Sequence, residues 1–262
     1  MNMRFSLPLT LHAGLSPGAV ELAARDWRGR WLRRERHAVA GAPGWRAALA
    51  ALQAQVAQGD WRGGSIEVVL STHFVRHCLL PADAGIKGAA EQAAYVKHLF
   101  RGEYGDEVDG WRVAIDRAGT GARLAGAADA GLLDETAAAC RAGGLRLRSV
   151  RPHLVDAANG LCRRIGRRRA WLAVLEDDVC ALALCDAGAW RHVARARLNR
   201  TAGASLFAVL RQQVLMLPEE PAVRALYVCG DVSGLDCAAA AGDWDIEIAA
   251  RPPGLPAGLL SF

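Results

Sequence analysis

The sequence is almost without lysine. Lys87 and Lys97 are the only lysines among 32 basic residues, so arginine carries nearly all of the positive side of a net charge of +5. With its abundant alanine, that bias fits a GC-rich coding sequence and says little about function. No stretch reaches the ~18 uninterrupted apolar residues of a membrane-spanning helix. The best run, 205–217, is broken by Arg211, Gln212 and Gln213. The start lacks an apolar core followed by a small-residue cleavage site, so no signal peptide is expected and the chain reads as cytoplasmic. No CxxC pair occurs among the seven cysteines, an odd and scattered set. Reduced, buried thiols are expected rather than a disulfide framework or a zinc site. No serine or cysteine stands in a nucleophile elbow and HExxH is missing, so neither a hydrolase triad nor a zinc protease is indicated.

What is present is a globular composition, 52% hydrophobic and 23% charged over 262 residues, enough for one large domain or two small ones. One pattern runs twice. Residues 7–39 read as three short strands joined by tight turns, and residues 169–198 read the same way. In the first meander the strands are expected at 7–13, 19–24 and 30–39, with the turn signal 14–18 around Pro17 and a second turn at 26–29. A helix is expected over Trp45–Gln58, with Trp45, Leu49, Leu52 and Val56 as its buried stripe and Gly59 as its end. Strands follow at 65–71 and 73–80, a helix at 88–104, a strand pair at 111–116 and 123–128, and a helix at 130–142 ended by Gly143 and Gly144. A strand at 145–150 and a helix at 152–165 lead into the second meander. There a helix capped by Thr201 runs to Leu217, before strands at 225–229 and 244–249. The tail from Pro252 is rich in proline and glycine.

This order of elements resembles the PilM/GspL-type actin-like proteins of type IV pilus and type II secretion assembly platforms, over nearly the whole chain. The resemblance implies an α/β, ribonuclease H-like duplicated fold. Its first half would be 1–165, with an inserted small α+β subdomain at about 73–130, and its second, reduced half 166–262. In this family the first hairpin carries an Asp-x-Gly loop, small hydroxyl residues and a lysine. Here the stretch is His12-Ala13-Gly14-Leu15-Ser16-Pro17, in which Gly14 and Ser16 match, His12 replaces the aspartate and no lysine follows. The second phosphate turn, Leu175-Glu176-Asp177-Asp178, has no glycine. The adenosine loop is reduced to Gly230 and Gly234 in CGDVSG. Triphosphate binding needs backbone N–H groups at close approach, which glycine permits, and a carboxylate to hold Mg²⁺ through water. Glu176 and Asp177 would instead present negative charge to a phosphate. The nucleotide-loop positions Gly14, Ser16, Gly230 and Gly234 are therefore read as degenerate, with no catalytic residue, cofactor or metal expected.

The resemblance implies a non-catalytic scaffold at the inner face of a bacterial inner membrane. It would bind the cytoplasmic N-terminal peptide of a membrane-anchored PilN-like or GspM-like partner, and the assembly ATPase or its adaptor. The alternatives are a nucleotide-binding ATPase or sugar-kinase-like member of the actin superfamily, and an Arg/Trp-rich nucleic-acid binder built on Trp27, Trp31 and the neighbouring arginines. His73 and His77, four apart, are expected to pack in a strand. His153 and Asp156 read as ordinary polar residues at a helix start. The basic run at 163–169 reads as a solvated turn or a contact for acidic lipid, and Asn199-Arg200-Thr201 as a helix cap.

Overall fold

In a computed structural model, residues 9–28, 30–42, 44–59, 61, 63–82, 85–86, 88–116, 121–198, 206–217, 223–233, 235 and 242–249 are described. Both meanders form. Strands β1 (Thr10–Leu15), β2 (Ala19–Arg25) and β3 (Trp31–Ala38) run antiparallel and are followed by α1 (Trp45–Gln58) and β4 (Ser65–Leu70). Strand β4 returns parallel to β1, and β8 (Arg146–Pro152) lies parallel beside β4, giving the order β3-β2-β1-β4-β8. The second half repeats the plan. Strands β9 (Ala170–Glu176), β10 (Val179–Asp186) and β11 (Ala189–Arg197), helix α5 (Leu206–Leu215), β12 (Ala225–Gly230) and β13 (Asp245–Ile248) build the order β11-β10-β9-β12-β13. Each parallel return from the first meander strand passes through a helix, as such a connection requires.

Between β4 and β8 the chain makes a third, smaller sheet. Strands β5 (Val75–Leu80), β6 (Trp111–Ile115) and β7 (Arg123–Asp129) are ordered β5-β7-β6, with α2 (Ala89–Tyr104) packed on them through Val96 and Phe100. Helix α3 (Ala130–Ala142) then returns the chain to the first sheet, its N-terminus capped by the Asp129 carboxylate accepting from Leu132 N–H at 3.1 Å. These elements fall between β4 and β8, within residues 75–142.

The two large sheets differ in how they are covered, and the strand sequences differ accordingly. On the first sheet, α1 and α3 bury one face around Leu11, Leu15, Leu49, Leu52 and Ile66. The other face carries His12, Glu67 and Arg151, so β1 alternates. The second sheet is sandwiched between α5 and α4 (His153–Ile165), whose apolar sides meet opposite faces of β9 and β10. Both faces being buried, AWLAVLE and VCALAL are continuous apolar runs. Five of the cysteines, Cys78, Cys140, Cys180, Cys185 and Cys229, are buried or half-buried and reduced, and burial raises their pKa values. Cys162 is exposed. Thr201, Pro218, Gly234, Cys237 and the tail lie outside the described residues. No helix among the described residues is long and apolar enough to cross a membrane.

Candidate functional site

The hairpin turns expected to grip phosphate confront each other. A Cβ added to Gly18, in the β1–β2 turn, would lie 4.0 Å from a carboxylate oxygen of Asp177, in the β9–β10 turn. The first turn is shorter than expected. Gly14 belongs to β1, buried and paired with Glu21 on β2 and Val69 on β4, rather than to the turn. The strand continues because Leu15 still has a core position to fill. Ser16 closes the turn with its own side chain, donating to Ala19 O at 2.9 Å and accepting from Ala19 N–H at 3.1 Å. Its hydroxyl is thus engaged locally.

The second turn holds a side-chain cluster that sequence spacing does not reveal. Glu176 ends β9 with its side chain only 8% exposed and directed at the first half of the chain. One oxygen accepts from Thr72 N–H at 2.8 Å and meets His153 Nδ1 at 3.0 Å. The other accepts from the Ser71 hydroxyl and lies 3.4 Å from His73 Nδ1. His73 in turn meets Asp178 Oδ1 through Nε2 at 2.6 Å and Ser71 Oγ through Nδ1 at 2.9 Å. The residues come from three places: the β4–β5 turn (Ser71, Thr72, His73), the first position of α4 (His153), and the β9–β10 hairpin (Glu176, Asp178). Glu176 does not offer a loose negative charge to a cleft, as its place in the turn suggests; it is consumed in joining the halves. His73 is a turn residue spanning the junction, not a packed strand residue. His153 is a fully buried carboxylate partner, not an ordinary polar helix start. Asp156 instead accepts from Arg151 Nε at 2.9 Å.

Electrostatics follow from this geometry. Burial works against the charged form of Glu176, but hydrogen bonds from His153, His73 and Ser71 outweigh it and hold the carboxyl far below its usual range. For His73 burial also opposes charge, yet the carboxylates of Glu176 and Asp178 prevail and raise its pKa. Chemically, this is an ionic clamp around Glu176, in which Thr72 Oγ1 and His153 Nε2 are buried without a hydrogen-bond partner among the described residues. Ser71 is buried, with its hydroxyl donating to the Glu176 carboxylate.

Gly230 stands where a side chain does not fit. It ends β12 at φ +88°, and an added Cβ would sit 2.0 Å from Leu175 O, because β12 and β9 approach closely there. No group of His, Cys, Asp and Glu side chains able to hold a metal occurs among the described residues.

A groove of about 400 Å³, lined mainly by apolar side chains, lies between the small sheet and the start of α4. Its walls include Ala114 and Ile115 of β6, Leu124 of β7, Pro152 of β8 and Val155 of α4. Strands β6 and β8 are both edges of their sheets. Trp190 of β11 also lines it, its Nε1 donating to Asp116 Oδ2 at 3.4 Å. Arg112 and Asp134 form a two-pronged ion pair beside the opening, at 2.9 and 3.0 Å. His77 on β5 lines the groove, and burial together with the neighbouring Arg76 lowers its pKa to about 4, so the ring is neutral at pH 7. Its Nε2 has no hydrogen-bond partner among the described residues.

No protein-family model matches the sequence, and no curated protein matches it. Solved structures do. A Bacteroides thetaiotaomicron protein with an actin-like ATPase fold and unknown function is similar at TM-score 0.67 and 11% identity, over 95% of this chain and 93% of that one. The PilM-PilN type IV pilus biogenesis complex is similar at TM-score 0.61 and 14% identity, over 92% and 88%. The cytoplasmic domain of EpsL, an inner-membrane component of the type II secretion system of Vibrio cholerae, is similar at TM-score 0.52 and 13% identity, over 94% and 90%.

Proposed function

From the actin-like ATPase fold that this chain has, we propose that it is a non-catalytic scaffold of a type IV pilus or type II secretion-like assembly platform, working at the cytoplasmic face of the inner membrane. It holds the extended N-terminal peptide of a membrane-anchored, PilN-like partner in the groove between β6 and α4. The observation that carries this reading is the groove itself: an apolar slot bordered by two open strand edges suits an extended chain, which can add main-chain hydrogen bonds to an edge while its side chains fill the slot. The likeness to the PilM-PilN complex supports it. The reading takes 1–165 and 166–262 as the two halves, with Glu176 fastening one to the other where a phosphate would otherwise lie. Gly14 in a strand, the Ser16 hydroxyl turned onto its own hairpin and the glycine-free β9–β10 turn all favour a site that has lost its nucleotide.

Two measurements test this. Ala114 is exposed on an edge strand, so Ala114→Trp is expected to fold normally while filling the groove. It should reduce capture of a neighbouring-gene partner, one with a short tail and a single span, at least tenfold in pull-downs from co-expressing cells. Unchanged capture would remove the groove from the proposal. Titration with Mg-ATP in a calorimeter is expected to give no heat of binding; saturable, Mg²⁺-dependent binding would favour the ATPase alternative instead.

A further inference from the structure

Arginines occupy positions 25, 28, 30, 33, 34 and 36, in and just before β3, the edge strand of the first sheet. Among the described residues no strand pairs with its outer side. Val39 N–H donates inward to Gly18 O, so the alternation of a strand turns the N–H and C=O groups of Arg34, Arg36 and Ala38 outward. Register divides the side chains between two faces. Arg33, Glu35 and His37 pair with Ala24, Leu22 and Val20, on the face that α1 covers, and there Glu35 is shared by Arg33 and His37. Trp31, Arg34 and Arg36 share the other face with Arg25, Ala23 and Glu21. Asp26 is occupied in its own turn, accepting from the N–H groups of Arg28 and Arg30 at 2.9 and 2.8 Å. Arg36 meets Glu21 Oε1 at 3.5 Å, and with Arg25 and Arg34 on the same side positive charge still exceeds negative charge along this part of the face. Arg34 Nε is shielded from water and has no partner among the described residues. A bulge at Ala24/Arg25 leaves Leu32 out of the ladder and 56% exposed, and Trp27 in the preceding turn is also 56% exposed.

We propose that the outer edge of β3 is a docking strand for an acidic, extended segment of a partner protein. The partner strand would place alternate Asp or Glu side chains over Arg34 and Arg36, and apolar ones near Leu32. This surface is separate from the β6–α4 groove, and nothing in the argument depends on it. A peptide fits better than a nucleic acid for two reasons. The edge offers donors and acceptors at strand spacing, which a phosphodiester chain does not match. The Trp31 ring that could stack a base is already flanked by guanidinium groups, with Arg25 and Arg34 lying 4.9 and 4.5 Å from its centre.

The test uses the full chain and a fluorescent peptide as long as β3, with glutamate and valine alternating; lysine replaces glutamate in the control. The acidic peptide should raise the anisotropy saturably and the lysine peptide should not. Arg34→Gln with Arg36→Gln should weaken binding about tenfold, as expected for two partly exposed ion pairs. Ala38→Pro, which removes one outward N–H and no charge, should weaken it severalfold. Absence of binding overturns the proposal, as does binding of a single-stranded oligonucleotide in preference to the peptide. Unchanged affinity in Ala38→Pro, with the variant folded by circular dichroism, overturns the strand-pairing geometry.

Discussion

Glu176→Ala is expected to lower the stability of the protein by ~3 kcal/mol or more, seen as a fall in the urea midpoint with unchanged slope. The size follows from what is left behind. Thr72 N–H, the Ser71 hydroxyl and His153 Nδ1 lose one common acceptor, and all three residues are buried. Each unpartnered buried donor costs on the order of 1–3 kcal/mol. Glu176→Gln keeps an acceptor for Thr72 N–H and is expected to cost less, about 1–2 kcal/mol. The charge also sets a pH dependence. Because the folded-state pKa of Glu176 is depressed, its contribution is complete above the ordinary carboxylate value of 4.5 and is lost as pH falls towards the folded value. His73 acts in the opposite sense. Its raised pKa makes its contribution complete below 6.5, and that contribution is lost as pH rises through the folded value. Stability against pH should therefore decline at both ends, and Glu176→Gln should flatten the acid limb. An acid limb identical in the Gln variant and the wild type would mean that the clamp is not the acid-sensitive element.

Gly230→Ala should be the second severe substitution, destabilising by ~3 kcal/mol, because two penalties combine. The residue adopts φ +88°, where an L side chain is strained by about 1–2 kcal/mol. Its Cβ would also collide with backbone, 2.0 Å from Leu175 O and 3.0 Å from Leu175 C, which no rotamer can relieve. Leu175 O already accepts from Asp231 N–H at 2.9 Å, so that bond is displaced as well. Gly188 supplies the comparison. It has φ +83° with nothing within 4 Å of an added Cβ, so Gly188→Ala carries the conformational penalty alone, ~1 kcal/mol. Equal thermal shifts in the two variants would show that the close approach of β12 to β9 contributes nothing.

Much of the fold was legible because its signals are local. Gly44 and Gly59 bracket a helix whose Leu49, Leu52 and Val56 recur at helical spacing, and α1 occupies that interval. The meanders announced themselves through strand-length apolar runs cut by Asp26 and by the Asp177-Asp178 and Ala187-Gly188 turns. The site was less legible. Gly14 invites a loop reading because glycine usually marks a turn, but Ser16 performs that task with its hydroxyl and frees Gly14 for the sheet. Ser71, His153 and Glu176 are separated by 23 to 105 residues, and no spacing rule connects them. A faint signal was available: of the three consecutive carboxylates Glu176, Asp177 and Asp178, Glu176 alone belongs to the apolar strand AWLAVLE, and a charge at the end of a doubly buried strand needs a partner. Finding which partner required the fold.

Helix α4 has a further consequence. Its first residue, His153, is fastened to Glu176, while Val155, half a turn further on, forms part of the groove wall. Free-energy linkage runs in both directions. Any occupant of the groove that bears on α4 and alters the His153–Glu176 contact must shift the proton affinity of Glu176, and protonating Glu176 must change the affinity for that occupant by the same factor. The helix thus makes the acidity of a buried carboxylate and the filling of a surface slot two readings of one equilibrium.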